Sequence, residues 1–341
     1  MRIAVLCGGI STEREISLKT SAKVANALKG NGHDVVMLDV FLGLEAPADF
    51  STEQDFFKTA ENLKNRKSEI TEEKIKETGL MGPNVFETCK AADIVFIGLH
   101  GENGEDGKIP AVFEEAGIRY TGSDSKSSAL AMSKSLTKNL IAPMVRMPGG
   151  ITLTKEEAYQ DEDNTKKVKF PCVVKPSNGG SSVGVVIVKE ESYLQSALEQ
   201  DFCYDNTVLV EDYIEGRELT QAVLDGVPLP PVEICPDPDS WYDYENKYNG
   251  KTLEICPAGI PEEILKEMSE KSVKIGEVLG LSVYYRIDYL LDKNGVLYAL
   301  EANSLPGMTD TSLVPQEAAA VGMDYAELCE KIIEISMEKY Q

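Results

Sequence analysis

Histidine and tryptophan are scarce in this chain: two of the first and one of the second in 341 residues. Two histidines cannot build a His-rich zinc site, so a required metal would be a hard cation held by carboxylate and amide oxygens. Basic residues are also few. The 34 Lys and Arg stand against 57 Asp and Glu, a formal charge of −23. That balance argues against nucleic acid, whose binding depends on clustered cations neutralising phosphates, and against anionic membrane surfaces. A phosphate ligand would need a local island of positive charge, or a metal. No apolar run approaches the roughly 18–20 residues of a membrane span. The opening residues 2–7 read as a strand and lack the basic stretch, long apolar core and cleavage site of a secretory signal. The seven cysteines are odd in number and form no CxxC pair. A disulfide framework is therefore not expected; they read as reduced, mostly buried thiols in a cytoplasm, with a catalytic cysteine as the alternative.

What is present is a 42% apolar chain in which strand-like and helix-like runs alternate, the pattern of an α/β protein of two or three domains. Residues 2–7 end at Gly8-Gly9, and a helix through about Leu28 leads to a second strand at 34–39, a βαβ opening. Another strand, 94–99, runs into His100-Gly101-Glu102-Asn103-Gly104-Glu105-Asp106-Gly107. Between them, about 41–90 is charged with a weak helical pattern; it reads as an insertion packed on the first domain, with a lid as the alternative. A helical stretch at about 124–140 opens a second unit, with strands at 170–176, 183–188 and 208–210. From Arg217 the chain is strand-rich until helices near 261–279 and 315–338.

Three segments carry chemistry. Residues 177–182, Ser-Asn-Gly-Gly-Ser-Ser, form a loop whose backbone N–H groups could wrap phosphates. It joins two strands, whereas a Walker loop or dinucleotide fingerprint leads from strand to helix. It reads as a hairpin cover over a nucleotide, with Lys175 just before it; an ordinary polar hairpin is the other reading. The second segment is a predicted hairpin, 284–291 and 296–301, turning at Asp292-Lys293-Asn294-Gly295. Strand side chains alternate, and a two- or four-residue loop opposes even positions to odd ones. Arg286, Asp288, Glu301 and Asn303 then share one face, alternating with Ile287, Leu290 and Leu300. Two carboxylates and an amide suit magnesium, and magnesium suits phosphoryl transfer; a solvated face with surface ion pairs is the alternative. The third segment, 236–257, holds Trp241, Tyr242, Tyr244, Lys247 and Tyr248. It is long enough to be a lid that excludes water, or a surface loop.

Taken in order, these blocks resemble the D-alanine–D-alanine ligases of the ATP-grasp fold along nearly the whole chain. The resemblance rests on Gly8-Gly9 with 11–17, Leu99-His100-Gly101 with Gly104–Gly107, 175–184, 242–248, Arg286-Ile287-Asp288 and 300–313. It implies an N-terminal parallel-sheet domain at 1–125, with the 41–90 insertion, followed by two α+β subdomains at 126–213 and 214–341 that enclose ATP. It implies that ATP phosphorylates the carboxylate of one D-alanine and that the amine of a second attacks the acyl phosphate. Glu13 would hold the first ammonium, and Glu13, Ser181 and Tyr248 would form a hydrogen-bonded set closing the lid. Lys134 and Lys175 would bind ATP phosphates, and Glu211 and Glu218 the adenine edge and ribose. Asp288, Glu301 and Asn303 would hold two magnesium ions, with manganese as a substitute. Arg286 and the Gly307 N–H would stabilise the oxyanion. Lys247, Ser312 and Leu313 would position the second D-alanine, with His100 near the reacting groups. The family further implies a cytoplasmic homodimer serving peptidoglycan synthesis. Ser133 departs from the pattern, since family members often carry an acid before the lysine.

Rival readings remain at this point. A ligase taking D-serine as acceptor differs by one hydroxyl, which a small pocket barely rejects. The Lys247-Tyr248 pair argues against D-lactate. An ATP-grasp carboxylase-type subunit lacks reason for the opening block and the Tyr248 loop, and a nucleotide-binding module without chemistry lacks reason for Arg286 and the metal face.

Overall fold

Three apolar segments near the start pair in parallel in the order β2-β1-β3: β1 (Arg2–Cys7), β2 (Asp34–Asp39) and β3 (Ile94–Ile97). They are nearly continuous buried runs, as expected of parallel strands covered on both faces. The helix Arg14–Gly30 crosses from β1 to β2. The turn between strand and helix admits only glycine at position 8, which has φ +74; a Cβ there would lie 2.0 Å from Asp39 Oδ2. Ser17 Oγ accepts the Gly8 N–H at 2.9 Å and donates to the Gly98 carbonyl at 2.6 Å. The loops after β1 and β3 are thereby tied together, and both carry site residues. The computed structural model describes residues 1–160, 162–180, 183–235, 252–309 and 311–341.

The 41–90 segment forms the helices Phe56–Asn65, Glu72–Thr78 and Val85–Ala91. Phe56, Leu63, Val85 and Cys89 are buried in the same core as β1, so the segment packs on the first sheet. The predicted helix at 124–140 is two helices, Ser125–Met132 and Lys134–Ile141, broken at Ser133.

Two antiparallel sheets follow. The first runs β4-β7-β5-β6, from β4 (Gly150–Thr154), β5 (Cys172–Pro176), β6 (Val186–Val188) and β7 (Thr207–Asp212). Edge strand β4 is short and half-exposed, so its sequence gives little periodic signal. The second contains β8 (Gly216–Leu224), β9 (Val227–Pro228), β10 (Val232–Cys235), β11 (Leu253–Ile255), β12 (Tyr284–Asp292) and β13 (Leu297–Asn303), ordered β11-β10-β8-β12-β13 with β9 on β8. Only 213–215 separate β7 from β8, which brings the two sheets together over a cavity. Ala131 and Ile141 pack with Leu219, Ile287 and Tyr289 of the second sheet. The helix Tyr325–Glu338 returns to the first core through Leu328, Ile332 and Ile333.

All seven cysteines are free; Cys7, Cys89, Cys172 and Cys329 are buried, Cys203 is exposed, and Cys235 and Cys256 lie between. Burial pushes the Cys89 thiol up to about 12 and Cys172 and Cys256 to about 11, which disfavours the reactive thiolate. No helix among the described residues is long and apolar enough to cross a membrane.

Candidate active site

Between the two antiparallel sheets lies a cavity of about 500 Å³. The glycine-rich loop roofs it through Gly179 and Gly180, and β12 and β13 floor it through Asp288, Leu290, Leu300 and Glu301. Antiparallel pairing of β5 with β6 makes 177–185 a hairpin connection, as its sequence context requires. The loop's base is pinned: the Asn178 N–H and side-chain amide both donate to Asp205 Oδ2, at 2.7 and 2.8 Å. Ser177 accepts the Lys134 N–H on its carbonyl at 2.8 Å.

In an acidic protein, the cations here form the island that a phosphate ligand needs. Lys134 Nζ donates to the Gly179 carbonyl at 2.6 Å and lies 3.2 Å from Glu301 Oε2, linking roof to floor. Lys175 Nζ lies 2.7 Å from Glu211 Oε2, and Lys138 Nζ lies 2.6 Å from Glu211 Oε1. Burial works against ionisation of Glu211, but Lys175 and Lys138 outweigh it and hold its carboxyl below the usual carboxylate range. Glu218 lines the same cavity, as do Ile214 and Arg217. Lys138 has no motif of its own; its signal is the four-residue spacing from Lys134, which puts both on one helix face. Ser133, the departure from the family pattern, caps this helix by accepting the Leu136 N–H at 3.4 Å, a role a carboxylate would also fill.

The hairpin reaches its register by a different route from the predicted one. Its connection is three residues, closed by the Asp292 N–H on the Val296 carbonyl at 3.0 Å, and near the turn even positions face even ones. A β-bulge between Asp288 and Tyr289 then shifts the pairing, so Arg286 opposes Asn303 and Asp288 opposes Glu301. Bulges re-aim side chains next to active sites. The apolar set is corrected too: Leu290 and Leu300 do not alternate with the site face but line the cavity with Asp288 and Glu301, while Ile287 is buried in the core behind.

Asp288 accepts four hydrogen bonds on this face. Arg286 donates to both its oxygens at 2.8 Å, Thr220 Oγ1 to Oδ1 at 2.6 Å and Asn303 Nδ2 to Oδ2 at 3.1 Å. Two carboxylates and an amide, all oxygen donors on adjacent strands, fit a hard divalent cation. Behind them Glu317 is fully buried, and burial pushes its carboxyl well up; it accepts the Ala222 N–H at 2.6 Å.

A smaller cavity of about 100 Å³ shares Gly180 and Glu301 with the first. Around it stand Glu13, His100, Arg286, Asn303, Gly307, Ser312 and Leu313. Glu13 is buried at the start of the first helix, and a Cβ on Gly180 would lie 3.1 Å from its Oε2. A Cβ on Gly101 would lie 2.9 Å from the same oxygen, so both glycines leave space to the carboxylate. His100 Nε2 is 3.1 Å from Thr20 Oγ1, and its Nδ1 is 3.7 Å from Glu105 Oε1. Ser312 Oγ accepts the Thr309 N–H at 2.8 Å, fixing the turn that carries Gly307. Thirteen of the sixteen sequence-predicted site residues thus line this pair of adjacent cavities. Ser181, Lys247 and Tyr248 lie outside the described residues. Lys138, Glu105 and Glu254 also face the site or hold its groups; Glu105 lies in the Gly104–Gly107 block, which does not single it out, and no sequence motif points to Lys138 or Glu254.

A glycine-rich hairpin over one sheet, a carboxylate face on another and a nucleotide-sized cavity between them define the ATP-grasp class. Residues 2–123 match the family model "D-ala D-ala ligase N-terminus", and 142–334 match "D-ala D-ala ligase C-terminus". The D-alanine–D-alanine ligase of Pediococcus pentosaceus is 40% identical over 98% of this chain and 97% of its own length. That of Lacticaseibacillus casei is 38% identical over 100% and 97%. A crystal structure of the Bacillus anthracis enzyme complexed with ATP superposes with a TM-score of 0.77 at 31% identity, covering 99% of this chain and 98% of that one. The VanG D-Ala:D-Ser ligase of Enterococcus faecalis gives 0.79 at 28%, covering 98% and 99%. The chain belongs to the D-alanine–D-alanine ligase family.

Proposed function

We propose that the protein joins two D-alanines into D-alanyl-D-alanine at the expense of ATP, for peptidoglycan synthesis in the cytoplasm. The single observation that carries this is the adjacency of the two cavities, which share Gly180 and Glu301 in their walls: a nucleotide-sized site lies beside a site small enough for amino acids. A carboxylate is a poor electrophile, so it must first be activated by phosphate. In the large cavity Lys134 and Lys175 take the ATP phosphates, Glu211 the adenine edge and Glu218 the ribose. In the small one Glu13 holds the ammonium of the first D-alanine beside His100. Arg286 and the Gly307 N–H receive the charge that develops on the carbonyl oxygen as the second amine attacks. Lys247, Ser312 and Leu313 would position that acceptor, and Glu13, Ser181 and Tyr248 would form the hydrogen-bonded set that closes the lid.

Asp288, Glu301 and Asn303 would hold magnesium, or manganese in its place. Held there, such a cation would supply positive charge to offset that of the phosphates. We assign 1–125 to the first D-alanine side, and 126–213 and 214–341 to the two arms around ATP, in a homodimer. The D-serine alternative is separated by product analysis with D-alanine, D-serine and D-lactate in equal amounts. The proposal expects D-alanyl-D-alanine to dominate; a dominant D-alanyl-D-serine would replace the acceptor and keep the mechanism.

A further inference from the structure

We propose that Glu254 is the proton acceptor for the second D-alanine, taking a proton from its ammonium and leaving the neutral amine that attacks the acyl phosphate. This rests on the ligase reading above. Two zwitterions must enter the small cavity, and each brings an ammonium. Among the described residues, four carboxylates line it: Glu13, Glu105, Glu254 and Glu301. Glu13 sits beside Gly180 and Gly101 at the donor end. Glu105 faces His100 at 3.7 Å, and Glu301 faces Lys134 at 3.2 Å on the phosphate side. Glu254 stands apart from these, on β11 opposite Ile234.

Its carboxylate is oriented by the element that carries the acceptor residues. Gln316, on the helix Leu313–Ala320, donates its amide to Glu254 Oε2, and the same amide donates to the Thr311 carbonyl at 3.2 Å. Ser312 and Leu313 begin this helix, so Glu254 is referenced to the acceptor end. Among the described residues, the ionisable groups around the cavity are Glu13 before the first helix, His100 and Glu105 after β3, Arg286 on β12 and Glu301 on β13, with buried Glu317 beside Gln316. Burial raises the Glu254 carboxyl above the ordinary value, against the lowering effects of the Gln316 hydrogen bond and the Arg286 charge. A half-buried carboxylate raised in this way is a better base than an exposed one.

The step balances. The acceptor ammonium gives one proton to Glu254. The amine nitrogen forms a bond to the carbonyl carbon of the D-alanyl phosphate, whose charge Arg286 receives. The carbon–oxygen bond to phosphate then breaks, the electron pair leaves with phosphate, one of the two protons left on nitrogen is carried off as hydrogen phosphate, and the other stays as the peptide N–H. Glu254 returns its proton to water.

Hydroxylamine is largely unprotonated at neutral pH and needs no base to trap the acyl phosphate. The test compares dipeptide formation with D-alanine hydroxamate formation in wild type, Glu254→Gln and Glu254→Asp. Glu254→Gln should lose about 100-fold in dipeptide rate at neutral pH, the usual size of a general base. It should regain rate as pH rises, and should keep hydroxamate formation within about twofold, since its loss falls only on the second half-reaction. Glu254→Asp should rescue part of the loss. An equal fall of both products in Glu254→Gln, or an unchanged dipeptide rate, overturns the proposal. Absence of hydroxamate from the wild type would instead overturn the ligase reading itself.

Discussion

Replacing Lys138 by methionine removes one of two cations from a buried carboxylate. Glu211 is 3% exposed and sits 2.6 Å from Lys138 and 2.7 Å from Lys175. Breaking a buried pair costs about 3–5 kcal/mol because the remaining charge is stranded. Lys175 survives in the variant, so the loss in stability should fall near the lower end. The consequence for ATP is more specific. In the wild type, Lys175 can turn toward phosphate while Lys138 still neutralises Glu211. In Lys138→Met, every move of Lys175 toward phosphate leaves Glu211 unpaired. The KM for ATP should therefore rise by roughly 10- to 100-fold, equivalent to about 1.4–2.8 kcal/mol. Turnover at saturating ATP should change by less than about threefold, the signature of lost uniform binding. Lys138→Arg should restore most of the affinity. Steady-state kinetics with varied ATP, alongside thermal melts, makes the distinction. A lowered melting temperature with an unchanged KM would refute the two-cation account. Because the folded Glu211 carboxyl is held below its ordinary value, this cluster's stabilisation is present at neutral pH and is lost as pH falls below the usual glutamate range.

Arg286→Ala should lower turnover by about 100-fold or more while ATP affinity, read by equilibrium binding, changes far less; equal losses would make Arg286 a phosphate ligand or a structural residue. Asp288→Asn should abolish turnover and magnesium-dependent tightening of ATP binding with the melting temperature retained, and full activity in excess chelator would remove the metal assignment. Asp201 is fully buried with neither carboxylate oxygen bonded, and burial raises it to about 7. The folded state thus holds this proton more tightly than the unfolded one, and stability should fall as pH rises from about 4 toward 7. Asp201→Asn should flatten that part of the melting-temperature profile, and an unaltered slope would place the pH dependence elsewhere.

The blocks that were legible in the sequence are those in which one residue type at one spacing has a single physical use. The glycines around 177–182 sit between two strands, and that context alone distinguishes their loop from a strand-to-helix phosphate loop. The shared face of Arg286, Asp288, Glu301 and Asn303 follows from side-chain alternation, yet the register depends on a bulge and a three-residue connection that periodicity does not encode. Leu290 and Leu300 illustrate the same limit, since an apolar residue on a strand can wall a nucleotide cavity as well as fill a core. Lys138 and Glu254 were illegible for a different reason. Each acquires meaning only from a partner distant in the chain: Glu211, 73 residues from Lys138, and Gln316, 62 residues from Glu254. Strand β4 was hidden because a short, half-exposed edge strand has no strong alternation.

The central claim is that the carboxylate of one D-alanine is activated as an acyl phosphate before the second attacks. It is tested most directly by supplying D-alanine labelled with oxygen-18 in its carboxylate, together with ATP and magnesium, and analysing the released phosphate by mass spectrometry. The carboxylate oxygen that attacks the γ-phosphorus stays with phosphorus when the carbon–oxygen bond breaks. The account predicts one labelled oxygen in each phosphate, formed in step with ADP and D-alanyl-D-alanine. Unlabelled phosphate, or ADP formed without dipeptide, would contradict it.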